Sequence, residues 1–176
     1  MLVLVVGPSG AGKDTLLDLA RTALADEPRI RFVRRDITRP ASAGGEAHTE
    51  NTQEQFAAHR ASYALSWQAH GLGYGIPGDI TADLAAGHVV VANISRAVIA
   101  EAAEKFPVCV LEITAPPEIL AERLAARGRE TAADIAARLA RQVPLPPGVP
   151  VITVVNDRAP ALGAAAVTAA LRSCLG

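Results

Sequence analysis

Along the chain, short runs that are apolar at every position alternate with longer stretches in which Ala and Leu recur at helical spacing. Leu2–Val6 is apolar throughout, the pattern of a strand covered on both faces. The spacing predicts a helix over Lys13–Leu24 and a second strand over Ile30–Val33. From residue 34 to 77 the pattern breaks. This stretch is polar, contains Gly44 and Gly45, and holds four of the seventeen basic residues and three of the four histidines. The alternation then resumes with a strand at Val89–Ala92, a helix at Arg96–Lys105, a strand at Val108–Ile113 and a helix at Pro116–Ala126. Thr131 suits the N-cap of another helix, with Asp134 three residues on. Beyond a proline-rich turn at 144–150, Val151–Val155 reads as a strand and Ala161–Leu175 as a closing helix. A βαβ rhythm of this kind predicts an α/β fold, a parallel central sheet with helices on both faces. The segment 34–77 is too long for a bare loop and is read as a small substrate-binding insert in a single domain spanning 1–176.

Composition changes this picture only at the margins. Of the 176 residues 50% are hydrophobic but only 3% aromatic, so the core is built from small aliphatic side chains. A formal net charge of −1 offers no global field for nucleic acid or an anionic membrane, so any bound anion needs a local cluster of donors. Cys109 and Cys174 make no disulfide framework, and no Cys/His spacing suggests zinc. The first apolar run is too short for a signal peptide or a membrane span, and a cytoplasmic protein is expected.

The chemistry begins where the first strand meets the first helix. Gly7, Pro8, Ser9, Gly10, Ala11, Gly12 and Lys13 form a phosphate loop in the context that motif requires. Glycines let backbone N–H groups turn toward phosphate oxygens, and the helix N-terminus adds its positive end. Lys13 is expected to reach the β and γ phosphates of ATP. The next residue is Asp14, where the usual motif has a Ser or Thr that touches Mg²⁺, and Thr15 follows at once. Two readings of Asp14 are open: it holds magnesium through water, or it favours the first helical turn. Asp14 and Thr15 are the candidate metal residues. Downstream, Arg123 and Arg127 are four apart on one helix face, Gly128 and Arg129 suggest a hinge, and Arg138 lies on the next helix. By spacing alone these arginines fit a solvated surface, with Glu122 and Glu130 interleaved.

Taken together, GPSGAGK, ITRP at 37–40, GE at 45–46, YG at 74–75, RLAARGRE at 123–130, ARL at 137–139 and VVND at 154–157 resemble the guanylate kinase family in order and over nearly the whole chain. The resemblance implies the P-loop NTPase three-layer fold, with the insert at 34–77 and an arginine lid at 123–141. It also implies ATP with Mg²⁺, the catalytic roles of Lys13, Arg123, Arg127 and Arg138, and a place for Asn156 near adenine.

The departures from that family are informative. Guanylate kinases read guanine with a Glu in the insert and an Asp after the central strand, and these positions are here Leu65 and Ser95. Asn93 also stands where the family has Asp. Meanwhile Arg39 is kept, Arg35 replaces a serine, Ala43 replaces an arginine and His48 replaces a phosphate-binding tyrosine. These changes, with LSW at 65–67, NISR at 93–96 and GPSGAGKDTLL, resemble the ribose 1,5-bisphosphate phosphokinases of phosphonate breakdown. That resemblance implies a sugar phosphate acceptor, with phosphoryl transfer to its 1-phosphate giving 5-phosphoribosyl 1-diphosphate. The implied acceptor residues are Arg35, Arg39, Glu46, His48, Trp67, Tyr74, Asn93, Ser95 and Arg96. Glu46 either orients an arginine or binds ribose hydroxyls, and Trp67 either walls the pocket or fills the core. The alternatives are a guanylate or other nucleoside monophosphate kinase and, in another class, a non-catalytic binding module. The intact Gly12, Lys13 and lid arginines count against the module.

Overall fold

Strand β1 (Leu2–Val6) is apolar at every position because both of its faces are covered. In the computed structural model, which describes residues 1–43, 46–126 and 143–176, Val3 and Val5 pack on one side of the sheet and Leu2, Leu4 and Val6 on the other. The first side is closed by α1 (Lys13–Ala23) through Leu16, Leu17 and Ala20 and by the last helix through Ala164, Val167 and Leu171. The second is closed by Ile80, Ile99 and Ala102 and by Leu65 and Ile76 of the insert. Three layers result, and the buried residues of the two cores between them are small and aliphatic, as the composition requires.

The central sheet is parallel throughout, in the order β2 (Ile30–Phe32), β7 (Val89–Asn93), β1, β8 (Val108–Thr114) and β9 (Val151–Val155). Strand β1 lies in the middle, so the loop that leaves it opens at the centre of the sheet's C-terminal edge. There it is flanked by the ends of β7 and β8, with Val5 opposite Asn93 and Val6 opposite Glu112.

Between β2 and β7 the chain builds a second sheet in the order β4 (Thr49–Glu50), β3 (Asp36–Ile37), β6 (Leu72–Pro77) and β5 (Tyr63–Ala69). A short helix α2 (Gln53–Ala58), opened by a capping box between Thr52 and Gln55, packs Phe56 beneath it. The polar stretch read from the sequence as an insert is therefore built around four strands. Its β5–β6 hairpin turns at His70 and Gly71, both with positive φ (53° and 74°). Helix α3 (Ile80–Ala85) was not evident from periodicity, because six residues are too few to show it.

Where a helix was expected over Arg96–Lys105, a 3-10 turn at Arg96–Val98 precedes α4 (Ile99–Lys105). Ser95 starts that turn, its side chain accepting a bond from the Ala97 N–H. The remaining helices, α5 (Pro117–Ala126) and α6 (Pro160–Ser173), fall within a residue or two of expectation. The helix expected to begin at Thr131, together with Arg127, Gly128 and Arg138, lies outside the described residues.

Candidate active site

The loop from Gly7 to Gly12 is shaped by contacts that leave no room for side chains at two positions. Gly7 has φ 152°, and a Cβ there would lie 1.9 Å from the Ile113 carbonyl oxygen. Gly12 has φ 85°, and its Cβ would meet Asn156 Nδ2 at 2.6 Å. Glycine is the residue that tolerates both the backbone angle and the approach.

Asn156 follows β9 and is only 4% exposed. Its Nδ2 donates to the Ala11 carbonyl at 2.8 Å, and its own N–H donates to Thr114. The resemblance placed Asn156 near adenine. In the structure its side chain braces the back of the phosphate loop, packed closely against Gly12. Arg123, on α5, reaches the same loop, its Nη1 donating to the Gly10 carbonyl at 3.4 Å.

Lys13 opens α1 with its ammonium folded back onto the loop, donating to the carbonyls of Gly7 (2.8 Å) and Pro8 (3.1 Å). Burial holds its pKa below the usual lysine value; Asp14 opposes the shift, Arg35 and Arg96 add to it, and Glu46 opposes it. Four charged side chains thus bear on the Lys13 ammonium. Asp14 and Thr15 are exposed on the first turn of α1. Asn93, at the end of β7, donates from Nδ2 to Asp14 Oδ1 at 3.4 Å.

A pocket opens beside this pair. Its polar lining comes from Asp14, Arg21, Arg35, Glu46 and Asn93, and its apolar wall includes Leu17 and Phe32. Arg35 makes a two-point ion pair with Glu46 through Nε and Nη2. The same guanidinium lies 5.3 Å from the centre of the Tyr74 ring and 5.8 Å from that of Trp67. Trp67 and Tyr74 are cross-strand partners on β5 and β6, stacked at 5.3 Å with an interplanar angle of 5°. Glu46 holds an arginine, and Trp67 packs on the second core; the Arg35 guanidinium beside its ring is a contact the sequence reading did not anticipate.

Three other acceptor candidates are engaged elsewhere. His48 is 7% exposed, with Nε2 3.0 Å from the Arg39 carbonyl and Nδ1 3.0 Å from that of Glu46. Both ring nitrogens face backbone, so His48 ties Arg39 to Glu46. Ser95 caps the turn described above. Arg96 pairs with Glu112 Oε1 at 2.7 Å and donates to the Val143 carbonyl at 2.9 Å. These bonds hold it along the end of the sheet, near enough for its charge to bear on Lys13.

Arg39 differs. Its Nε is buried with no partner among the described residues, and its Nη2 is 3.4 Å from His48 Nδ1. Leu65, standing where guanylate kinases are expected to carry a glutamate, is 1% exposed inside the second core. Arg127 and Arg138 lie outside the described residues.

The sequence reading missed Arg21 and Glu112. Asp14, Leu17 and Arg21 recur at helical spacing on one face of α1, a signal present in the sequence. Glu112, a lone acid in an otherwise apolar strand, was a second.

The loop, the strand it leaves and the helix it enters define a P-loop phosphotransferase. A family model described as an AAA domain matches residues 2–143. Ribose 1,5-bisphosphate phosphokinase PhnN of Methylobacterium radiotolerans is 54% identical over 177 residues, covering 98% of this chain and 98% of its own. The protein of the same name from Acidiphilium cryptum is 51% identical, covering 98% of this chain and 93% of its own. A bifunctional ribose 1,5-bisphosphokinase-thymidine phosphorylase of Azorhizobium caulinodans is 53% identical, but the chain spans only 25% of that protein. Among solved structures, the guanylate kinase of Anaplasma phagocytophilum shares the fold with a TM-score of 0.66 at 19% identity, over 98% of this chain and 84% of that one. A gluconokinase from Sinorhizobium meliloti does so at 0.54 and 17%, over 97% of this chain and 91% of its own. The chain belongs to the AAA domain family and, within it, to the ribose 1,5-bisphosphate phosphokinases.

Proposed function

We propose that this protein transfers the γ-phosphoryl group of ATP to the 1-phosphate of ribose 1,5-bisphosphate, giving 5-phosphoribosyl 1-diphosphate and ADP. The observation that carries the reading is identity above half with a single-activity relative across 98% of both chains. The geometry supports it. Ser95 caps a turn and Leu65 is buried in the core, so neither position offers a carboxylate to pair with a purine edge. The pocket beside the loop carries arginines instead.

In the reaction an oxygen of the acceptor 1-phosphate attacks the γ phosphorus, the bond from the γ phosphorus to the β–γ bridging oxygen breaks, and ADP leaves. That acceptor oxygen is already ionised at neutral pH, the second pKa of a phosphate monoester being about 6. No side chain need remove a proton. The demand is to hold two anions together, and the protein meets it with fixed cations. Lys13 exchanges the Gly7 and Pro8 carbonyls for the β and γ phosphates, and Arg123 stands beside the loop at Gly10. Arg127 and Arg138 complete the set in this reading. Arg35, held by Glu46 against the Trp67–Tyr74 pair, and Arg39, whose Nε has no partner among the described residues, receive acceptor phosphates. Segments 34–77 and 123–141 are then acceptor insert and lid.

Asp14, Thr15 and Asn93 offer hard oxygen atoms at the loop's mouth, a donor set that fits magnesium. Mg²⁺ when bound would neutralise phosphate charge there. The partner is a small sugar phosphate. The cytoplasm is the proposed compartment, in keeping with two free cysteines. No helix among the described residues is long and apolar enough to cross a membrane.

An ADP-release assay with Mg-ATP, run in parallel with ribose 1,5-bisphosphate and with GMP, tests the reading. Turnover with the sugar bisphosphate, and 5-phosphoribosyl 1-diphosphate as product, is expected. Turnover with GMP alone would overturn the acceptor while leaving the P-loop assignment intact.

A further inference from the structure

The usual phosphate loop holds Mg²⁺ with a Ser or Thr hydroxyl after its lysine and an Asp on a neighbouring strand. This chain departs at both places, with Asp14 after Lys13 and Asn93 at the end of β7. The two departures lie side by side. Strand β7 is the parallel neighbour of β1, Asn93 is in register with Val5 two residues before the loop begins, and its Nδ2 donates to Asp14 Oδ1. Both residues line the same pocket. Across these two positions the number of carboxylates is therefore unchanged, and only the element that carries one has changed.

We propose that Asp14 and Asn93 are a reciprocal exchange, in which the Mg²⁺-binding carboxylate has moved from strand β7 to the first turn of α1 and Asn93 orients it. The proposal deepens the ATP-binding half of the reading above and does not depend on the acceptor. An amide at position 93 follows from the exchange. A second carboxylate at that distance would repel the first and force one of them toward its protonated form. An amide donates one hydrogen bond to Asp14 and keeps an oxygen for the metal or its waters.

Other observations agree. Asp14 makes no ion pair with a Lys or Arg among the described residues, although its charge is felt by Lys13. No group of three or more His, Cys, Asp or Glu among the described residues could cage a metal without a nucleotide. Magnesium needs no such cage, since it is commonly held by one or two carboxylates together with substrate phosphates. The competing role for Asp14, favouring the helix N-terminus through its charge, needs no partner on β7 and predicts no link to metal.

The test is ADP binding by calorimetry with Mg²⁺ and with EDTA, and Mn²⁺ binding by electron paramagnetic resonance in the presence of ADP. The variants are Asp14→Ser, Asn93→Asp and the double variant, and no acceptor is present. Asp14→Ser is expected to keep metal-free ADP binding and to weaken Mn²⁺ by roughly tenfold to a hundredfold. The double variant, which rebuilds the usual arrangement, is expected to recover most of that loss. Asp14→Asn, closer in shape, serves as a second probe and is expected to lose metal like the serine. Full Mn²⁺ affinity in Asp14→Ser, or a double variant no better than the single, would overturn the exchange. Loss of metal-free ADP binding together with the metal would also overturn it, by assigning Asp14 to the loop's own fold. A failure of ribose 1,5-bisphosphate as acceptor would leave all these outcomes readable.

Discussion

Helix α1, which the phosphate loop enters, and the insert both line the pocket beside Asp14, the helix through Asp14, Leu17 and Arg21 and the insert through Arg35, Glu46 and Ala47. In the proposed reaction the loop and the insert prepare for anions by different means. The loop uses backbone. Its shape is set by Gly7 against Ile113 and Gly12 against Asn156, and the one charge it adds, Lys13, rests on its own carbonyls. The second sheet uses side chains that first bind one another. Arg35 is locked to Glu46 over two stacked rings, and Arg39 is tied through its carbonyl to His48. A backbone cradle fits any polyphosphate tail, and one donor, ATP, suffices for many kinases. A cradle of paired side chains can be rebuilt for each acceptor, and here it differs at several positions from the guanylate kinase pattern.

The sharpest way to break this comparison is at Lys13. Lys13→Ala should lower kcat by about a thousandfold, the scale of removing one preorganised charge donor from a transition state. The fold should survive, because the burial that lowers the Lys13 pKa opposes its charged form and alanine removes that cost. Steady-state rates with a thermal melt check both halves. A kcat within tenfold of the parent would move the active site elsewhere.

Asn156→Ala should come next in size. It leaves the buried Ala11 carbonyl without its donor, a loss of about 1–3 kcal/mol in stability. Binding of ATP and of inorganic tripolyphosphate should weaken together, since the brace acts on the loop. Were Asn156 an adenine contact, tripolyphosphate would bind as before and only ATP would suffer.

The loop was legible in the sequence because its requirements are steric and local: glycines at fixed spacing between an apolar strand and a helix. The parallel sheet was legible for a related reason, since a strand covered on both faces is apolar at every position, as Val3 and Leu4 show from opposite cores. The second sheet was not. Its strands β3 and β4 are two residues each, and the pairing of β3 with β4 on one side and with distant β6 on the other leaves no periodic trace. The site residues divide the same way. An arginine has the same sequence appearance whether it points at a substrate or at a carboxylate, so Arg35 and Arg96 looked alike. One proves to be paired in the pocket with Glu46, the other along the sheet end with Glu112. Asn156 was found by resemblance, and its packing against Gly12 is something only the folded chain reveals.

Glu46→Gln sharpens the acceptor side. Without the carboxylate, Arg35 loses its two-point anchor while keeping its charge and its aromatic support. The KM for ribose 1,5-bisphosphate should rise by about tenfold, the value of roughly one charge-assisted hydrogen bond, with the KM for ATP unchanged. Arg35→Lys should have a similar effect, because an ammonium cannot reproduce the planar fork. If Glu46 acted only through Arg35, the double variant would be little worse than either single one. Additive losses would instead give Glu46 its own contact with the sugar.

The smallest effect is expected at Ser95, and it separates the two sides of the pocket most cleanly. Its hydroxyl accepts from the Ala97 N–H at the start of the 3-10 turn, so Ser95→Ala should cost about 1 kcal/mol of stability, as other lost caps do. KM for either substrate should stay as it was. Aspartate caps as well as serine, so Ser95→Asp should melt like the parent. It should also gain no turnover with GMP, because Leu65 is closed inside the core and supplies no second acceptor for a guanine edge. A rise in acceptor KM for Ser95→Ala would return this residue to the substrate site. GMP turnover by Ser95→Asp would show that base recognition needs only one of the two carboxylates, and that the arginine cradle, rather than the lost base pocket, tolerates either acceptor.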